Sequence, residues 1–323
     1  MRHLPRLHAL APILGLAALI AVGLGPIAAA EAGTCGGGVP CRCGDTVLGT
    51  AVLAGDLGVC QGIGLKVKSA AVLDCNGHTI TGSNLSGATY GILVDQAVGA
   101  EVRNCRVTLF RRGLRLDGGH DNLITANEIF ANRYGIELAG ASLANVIAAN
   151  SIHDNRDEGV HVGAGAHDNE IRDNVLARNK REAIYVLLSH GVRVTGNTIA
   201  NTDRTGIFVK HSHNAYVADN MVGTRIQVRG DGVGNVFENN HLRGNGYLFE
   251  AFEEPASVWS YPHDNTVLGG IVENTTACLR FYGAHDNTVE GLWLDRKCAP
   301  PTQEPLGGQA ATGNVIHTLV LPY

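Results

Sequence analysis

A step of about two dozen residues recurs along most of the chain, and it leaves few folds open. A Gly followed by an apolar–any–apolar strand stands at Gly91, Gly113, Gly135, Gly159 and Gly206, with Ala183 filling the same slot between the last two. A second marker advances with it. An Asn stands just ahead of an apolar residue at Asn104, Asn127, Asn150, Asn174, Asn197, Asn220 and Asn240, with successive differences of 23, 23, 24, 23, 23 and 20. Two markers keeping one step mean one small unit stacked on itself.

Each unit holds short runs with apolar residues at alternate positions, such as Gly135-Ile136-Glu137-Leu138, Asn145-Val146-Ile147 and Asn150-Ser151-Ile152. These runs are too short for helices and are broken by Gly, Asn and Asp. Three short strands with tight turns close one rung of a coil. Stacked rungs pair in parallel at about 4.8 Å, and their inward apolar residues make one continuous core. An Asn at one fixed turn can bond the Asn of the next rung, which explains a polar residue at a position due for burial.

With these features the chain resembles the right-handed parallel β-helix proteins of the pectin-lyase type, in particular the bacterial NosD-like and carbohydrate-binding/sugar-hydrolase repeat group. The residues that carry the resemblance are Gly91-Ile92-Leu93-Val94, Gly135-Ile136-Glu137-Leu138, Gly206-Ile207-Phe208-Val209, the Asn turns and the opening Leu73-Asp74-Cys75-Asn76-Gly77-His78-Thr79-Ile80. It covers about residues 63–320. The expectation is an all-β, single-stranded right-handed parallel β-helix of about ten rungs with a disulfide-rich N-terminal cap. The architecture hosts lyases, hydrolases, epimerases and non-enzymes, so function must come from the site.

The ends bound the compartment. Residues 1–30 read as a signal peptide: Arg2 and Arg6 precede an apolar stretch that ends in Ala28-Ala29-Ala30. Residues 31–62 form a Cys- and Gly-rich cap, and 63–323 the coil. Eight cysteines in an exported chain read as disulfides, clustered where terminal rungs lack a neighbour. The expected pairs are Cys43–Cys60, Cys75–Cys105 and Cys278–Cys298, with Cys35 and Cys41 unassigned. The expected product is a secreted or periplasmic monomer with no membrane span after signal removal. A net charge of −5 argues against nucleic-acid binding.

Candidate chemistry lies outside the coil. Tyr261-Pro262-His263-Asp264 resembles the P-H-D run of alginate C5-epimerases. However, His-Asp-Asn recurs at residues 120, 167, 263 and 285, and a triplet repeated at one turn is architecture. The residue between the two apolar positions of the Gly-led strand points outward. That column reads Leu93, Arg115, Glu137, His161, Tyr185, Phe208 and Gln227, with Glu250 and Arg280 expected to continue it. The preceding turn adds Arg111, Arg133, Asp157, Arg181 and Arg204, and beside them Arg112, Tyr134, Glu158 and Glu182. Aromatics to stack on sugar rings, Arg to fork onto carboxylates, and His or Glu to move protons suit an acidic polysaccharide. The expected catalytic set is His161, Tyr185, Glu137 and Arg181, with Arg115, Arg133, Glu158, Phe208 and Lys210 binding substrate. Such an enzyme would be a lyase or uronate epimerase.

The competing readings are a non-catalytic glycan- or envelope-binding coil and a NosD-like periplasmic copper accessory protein. His211 and His213 would serve the latter as His-x-His on a strand. No metal is otherwise assigned and no cofactor is called for, calcium being the one ion left open. An insertion within 246–262 places Tyr247, Phe249, Phe252, Trp259 and Tyr261 within fifteen residues. These aromatics either wall a groove or pack back onto the coil.

Overall fold

The computed structural model describes residues 33–322 apart from Asn201 and Ala256. Its regular elements are strands. A rung is three of them, for example Tyr134–Leu143, Val146–Ala148 and Ser151–His153. Each pairs in parallel with its counterpart one rung away, so Ile124, Ile147 and Ile171 stack in one file and Ile129, Ile152 and Leu176 in another. All six are fully buried. The chain is a parallel β-helix, as the repeat requires.

The first strands of the rungs form a 13-stranded sheet. It holds more than the ten rungs expected, for two reasons. The cysteine-rich segment is itself coil, because Thr46–Val47 pairs with Lys66 and Val67 and Thr34–Cys35 pairs below it. At the other end Thr302–Glu304 adds the last strand to Leu279–Tyr282.

The Asn ladder exists in triplicate. Asn127, Asn150, Asn174, Asn197, Asn220 and Asn240 are joined side chain to side chain at 2.9–3.0 Å. A second ladder holds Asn122, Asn145 and Asn169, and resumes at Asn235, Asn265, Asn287 and Asn314. A third holds Asn132, Asn155 and Asn179. These Asn side chains turn inward where the chain changes sheet and satisfy backbone groups that no strand can pair. Asn104 is not a member. It takes a left-handed turn position with φ of 54° and donates to Asp74. Cys105 fills the ladder slot instead, its N–H donating to Asn127 Oδ1, and it bonds to Cys75.

The glycine column is set by the close approach of the next rung. A Cβ on Gly135 would strike the Gly159 carbonyl oxygen and come within 2.8 Å of Ile152 Cγ2 and 3.1 Å of Asn155 Nδ2. The His-Asp-Asn turns are architecture too: His120, His263 and His285 bond the neighbouring Asp, which sits at positive φ, while the Asn joins a ladder. All three expected disulfides are present, and Cys35 pairs with Cys41.

Candidate functional site

The outward column of the first sheet is continuous from Arg115 through Glu137, His161, Tyr185 and Phe208 to Gln227. The next position is Leu248, and Arg280 follows it. Glu250 therefore does not continue the column, as the sequence suggested. It pairs with Arg229, two residues further along the strand, because Tyr247 and Phe249 are the inward residues of that rung. Its carboxylate still reaches Gln227 Nε2 at 3.0 Å.

The predicted residues fall into three groups. At the lower end Glu137 accepts from Arg112 and Arg115, and Arg115 also lies 3.2 Å from Asp117. Arg133 stands apart, paired with Asp157 at 2.7 Å. In the middle, His161 and Tyr185 have ring centroids 5.1 Å apart, and Tyr185 stacks on Phe208 at 5.2 Å. Arg181 covers this stretch, with Nη1 3.0 Å from Glu158 Oε1 and Nε 3.4 Å from Glu182 Oε2. At the upper end Lys210 and Arg229 lie over the Phe252 ring at 3.8 and 4.7 Å.

Electrostatics separates the proton-handling groups. Burial, together with Arg112 and Arg181, holds the His161 imidazole below its ordinary value against the pull of Glu137. The ring is therefore neutral near pH 7. Its Nδ1 is enclosed without a hydrogen-bond partner, so proton transfer would run through Nε2. Burial, helped by Glu182 and Glu158, pushes the Tyr185 phenol up to about 12. Burial also raises Glu158, more than Arg181 lowers it.

Tyr185, Phe208 and Arg181 of the middle group and Lys210 and Arg229 of the upper one line a groove of about 400 Å³, and His161 lies one rung below Tyr185, outside its lining. Tyr185, Phe208 and Gln227 form its floor, and Arg181, Arg204, Arg225, Arg229 and Lys210 surround it against Glu182 and Asp203. Arg225 and Arg229 were not singled out from the sequence. The Gly marker that locates the strand is missing at that rung, with Arg225 in its slot.

Part of the insertion packs back onto the coil, as one of its two expected arrangements requires. Tyr247 and Phe249 are core, whereas Phe252–Glu254 and Val258–Ser260 form an antiparallel hairpin beside the groove. Phe252 lies against Lys210 and Arg229, which line the groove, and Tyr261 ties the hairpin to the Gly307 carbonyl at 2.8 Å. His211 does not extend the strand Ile207–Lys210 as a ligand would. It turns at φ 46° and is held by Asp231 at 2.6 Å and Glu254 at 2.9 Å.

The coil and its groove define a parallel β-helix protein of the pectin-lyase type. A family model described as "Periplasmic copper-binding protein (NosD)" matches residues 52–248 and 178–297, and the chain belongs to that family. Solved structures share the fold, two of them as follows. An alginate lyase from Paenibacillus sp. str. FPU-7 is 15% identical with a TM-score of 0.54, the match covering 83% of this chain and 92% of that one. The catalytic unit of a thermostable α-1,3-glucanase from Streptomyces thermodiastaticus strain HF3-3 is 12% identical with a TM-score of 0.63, covering 88% of this chain and 61% of that one. At such identities the likeness speaks for the fold alone. No curated protein matches the chain.

Proposed function

We propose that this protein is an exported β-helix that binds an acidic polysaccharide along the first sheet and draws the C5 proton from a uronate unit there. One observation carries the reading: the Tyr185–Phe208 stack forms a floor that five cations surround. Sugar rings lie on aromatic faces, and guanidinium forks match carboxylates. That two solved structures sharing the fold are named as an alginate lyase and an α-1,3-glucanase suits it. Four disulfides suit an oxidising compartment. Among the described residues no helix is long and apolar enough to cross a membrane.

The chemistry follows from the charge states. A uronate carboxylate neutralised at Arg181 makes its C5 proton more acidic. Neutral His161 accepts that proton through Nε2. Tyr185 keeps its own proton near pH 7 and is the donor, either to the departing glycosidic oxygen or to the opposite face of C5. Hydrolysis would need two carboxylates free to act as acid and as base or nucleophile. Glu137 is instead held by two arginines, and Glu158 and Glu182 lie against Arg181.

The family's description names copper, and the residues present do not fit a copper centre. All eight cysteines are in disulfides, and among the described residues no three His, Cys, Asp or Glu side chains converge as ligands do. No role is derived for the metal.

The test is incubation with a panel of uronate polymers, with and without calcium. It follows absorbance of the unsaturated product and proton exchange at C5. Turnover lost in His161→Ala and Tyr185→Phe, with binding retained, is the expected result. Binding without turnover in the wild type would remove the chemistry and leave a glycan-binding coil. Neither binding nor turnover across the panel would overturn the reading.

A further inference from the structure

Two arginines lie beyond the reacting groups and have no ion-pair partner among the described residues. Arg225 precedes the strand Ile226–Arg229, and its carbonyl accepts from the Gly206 N–H one rung below. Arg280 stands two rungs further on, after Gln227 and Leu248 in the outward column. Neither makes an ion pair among the described residues, although neighbouring cations do, such as Arg229 with Glu250 at 3.3 Å. The Nε of each is enclosed without a hydrogen-bond partner. They also repel one another: burial first, and Arg280 next, hold the Arg225 guanidinium below its ordinary value, and Glu250 offsets this only in part. That single acid is already shared between Arg229 and Gln227. Leu248, although it faces outward, is only 5% exposed, so the floor here is apolar. Two half-buried like charges over an apolar floor are costly unless an anion completes the arrangement.

We propose that Arg225 and Arg280 form a second anion subsite, which takes a further acidic group of the same glycan, so that the groove reads a run of acidic sugars rather than one. The inference rests on the glycan reading above. A chain laid along the coil meets Arg181, Arg204 and Arg225 on successive rungs. From Tyr185 to Arg280 the column advances four steps, about 19 Å at about 4.8 Å each. The ligand chemistry is an oxyanion forked by guanidinium, which a carboxylate and a sulfate ester share.

Titration calorimetry of the full chain tests this with uronate oligomers of increasing length, matched sulfated oligomers, and inorganic sulfate as separate probes. Affinity should rise with length in the wild type. In Arg225→Gln/Arg280→Gln the long oligomers should bind at least tenfold more weakly, a larger loss than the shortest oligomers suffer. Whichever of the two polymer series loses more identifies the acidic group. Equal affinity of wild type and double variant for long oligomers of both series would overturn the subsite and leave the glycan reading intact. If no oligomer binds, and inorganic sulfate binds the wild type but not the double variant, the anion subsite stands and the glycan reading falls. Should the double variant not fold, Arg280→Lys keeps the charge and loses the fork. A several-fold loss for long oligomers is then expected, and no loss would reject the proposal.

Discussion

Asn174 shows how much one side chain carries in a coil. Its Nδ2 donates to Asn197 Oδ1 at 3.0 Å and to the Ile147 carbonyl at 2.9 Å, and its Oδ1 accepts from the backbone and side chain of Asn150. Asn174→Leu strands those partners in a buried turn and should cost about 3 kcal/mol, read from urea unfolding midpoints. A loss below about 1 kcal/mol would mean that the ladder is dispensable. His161 gives a pH signature. The unfolded imidazole titrates near 6.5, and the folded one lower because of burial. Below about pH 6.5 the unfolded state binds more protons, so stability falls with falling pH until the folded ring also protonates. His161→Gln should remove that component of the slope, compared by unfolding between about pH 8 and about pH 5. An unchanged slope would show that the ring is not held neutral.

At the scale of the element, the glycine-led strand and the hairpin make separate predictions. Gly135→Ala pushes a methyl group against the Gly159 carbonyl, Ile152 and Asn155. The strand cannot retreat, because it is paired on both sides. A loss of about 2 kcal/mol is expected in thermal or urea unfolding. The hairpin acts on the groove rather than on the coil. Phe252 lies against Lys210 and Arg229 from outside, so Phe252→Ala should leave the unfolding midpoint nearly unchanged and weaken glycan binding several-fold, as calorimetry would show. The reverse pattern, loss of stability with unchanged binding, would make the hairpin a structural strap. The second and third Asn ladders were harder to see in the sequence than the first. Asn122, Asn145 and Asn169 give way to Ser189 and Ser212 before resuming at Asn235, and Asn132, Asn155 and Asn179 span only three rungs.

For the whole molecule, stability is a sum over neighbouring rungs, and the ends are its weak points. The disulfides sit there and leave the middle rungs to the ladders. Cys75→Ser/Cys105→Ser opens a 30-residue loop and should cost about 3 to 4 kcal/mol. Hydrogen exchange after reduction should show protection lost first in the terminal rungs, with rungs around Asn150 and Asn174 exchanging last. Uniform loss of protection would instead mean that the coil unfolds as one unit.

The sequence alone determined the coil, its step, the glycine column, the main Asn ladder and three of the disulfides. All of these follow from short-period patterning, which fixes what each residue meets one rung above and below. It also laid out the column from Arg115 to Gln227 for the same reason. Tertiary structure decided where that register breaks. Beyond Gln227 the pattern resumes as Gly246-Tyr247-Leu248-Phe249, but an apolar residue in the outward position beside an insertion hides it, so Leu248 rather than Glu250 takes the column. Only the folded coil shows which charges neutralise one another. It commits Glu137 to Arg112 and Arg115, and leaves Arg225 and Arg280 without an ion pair among the described residues.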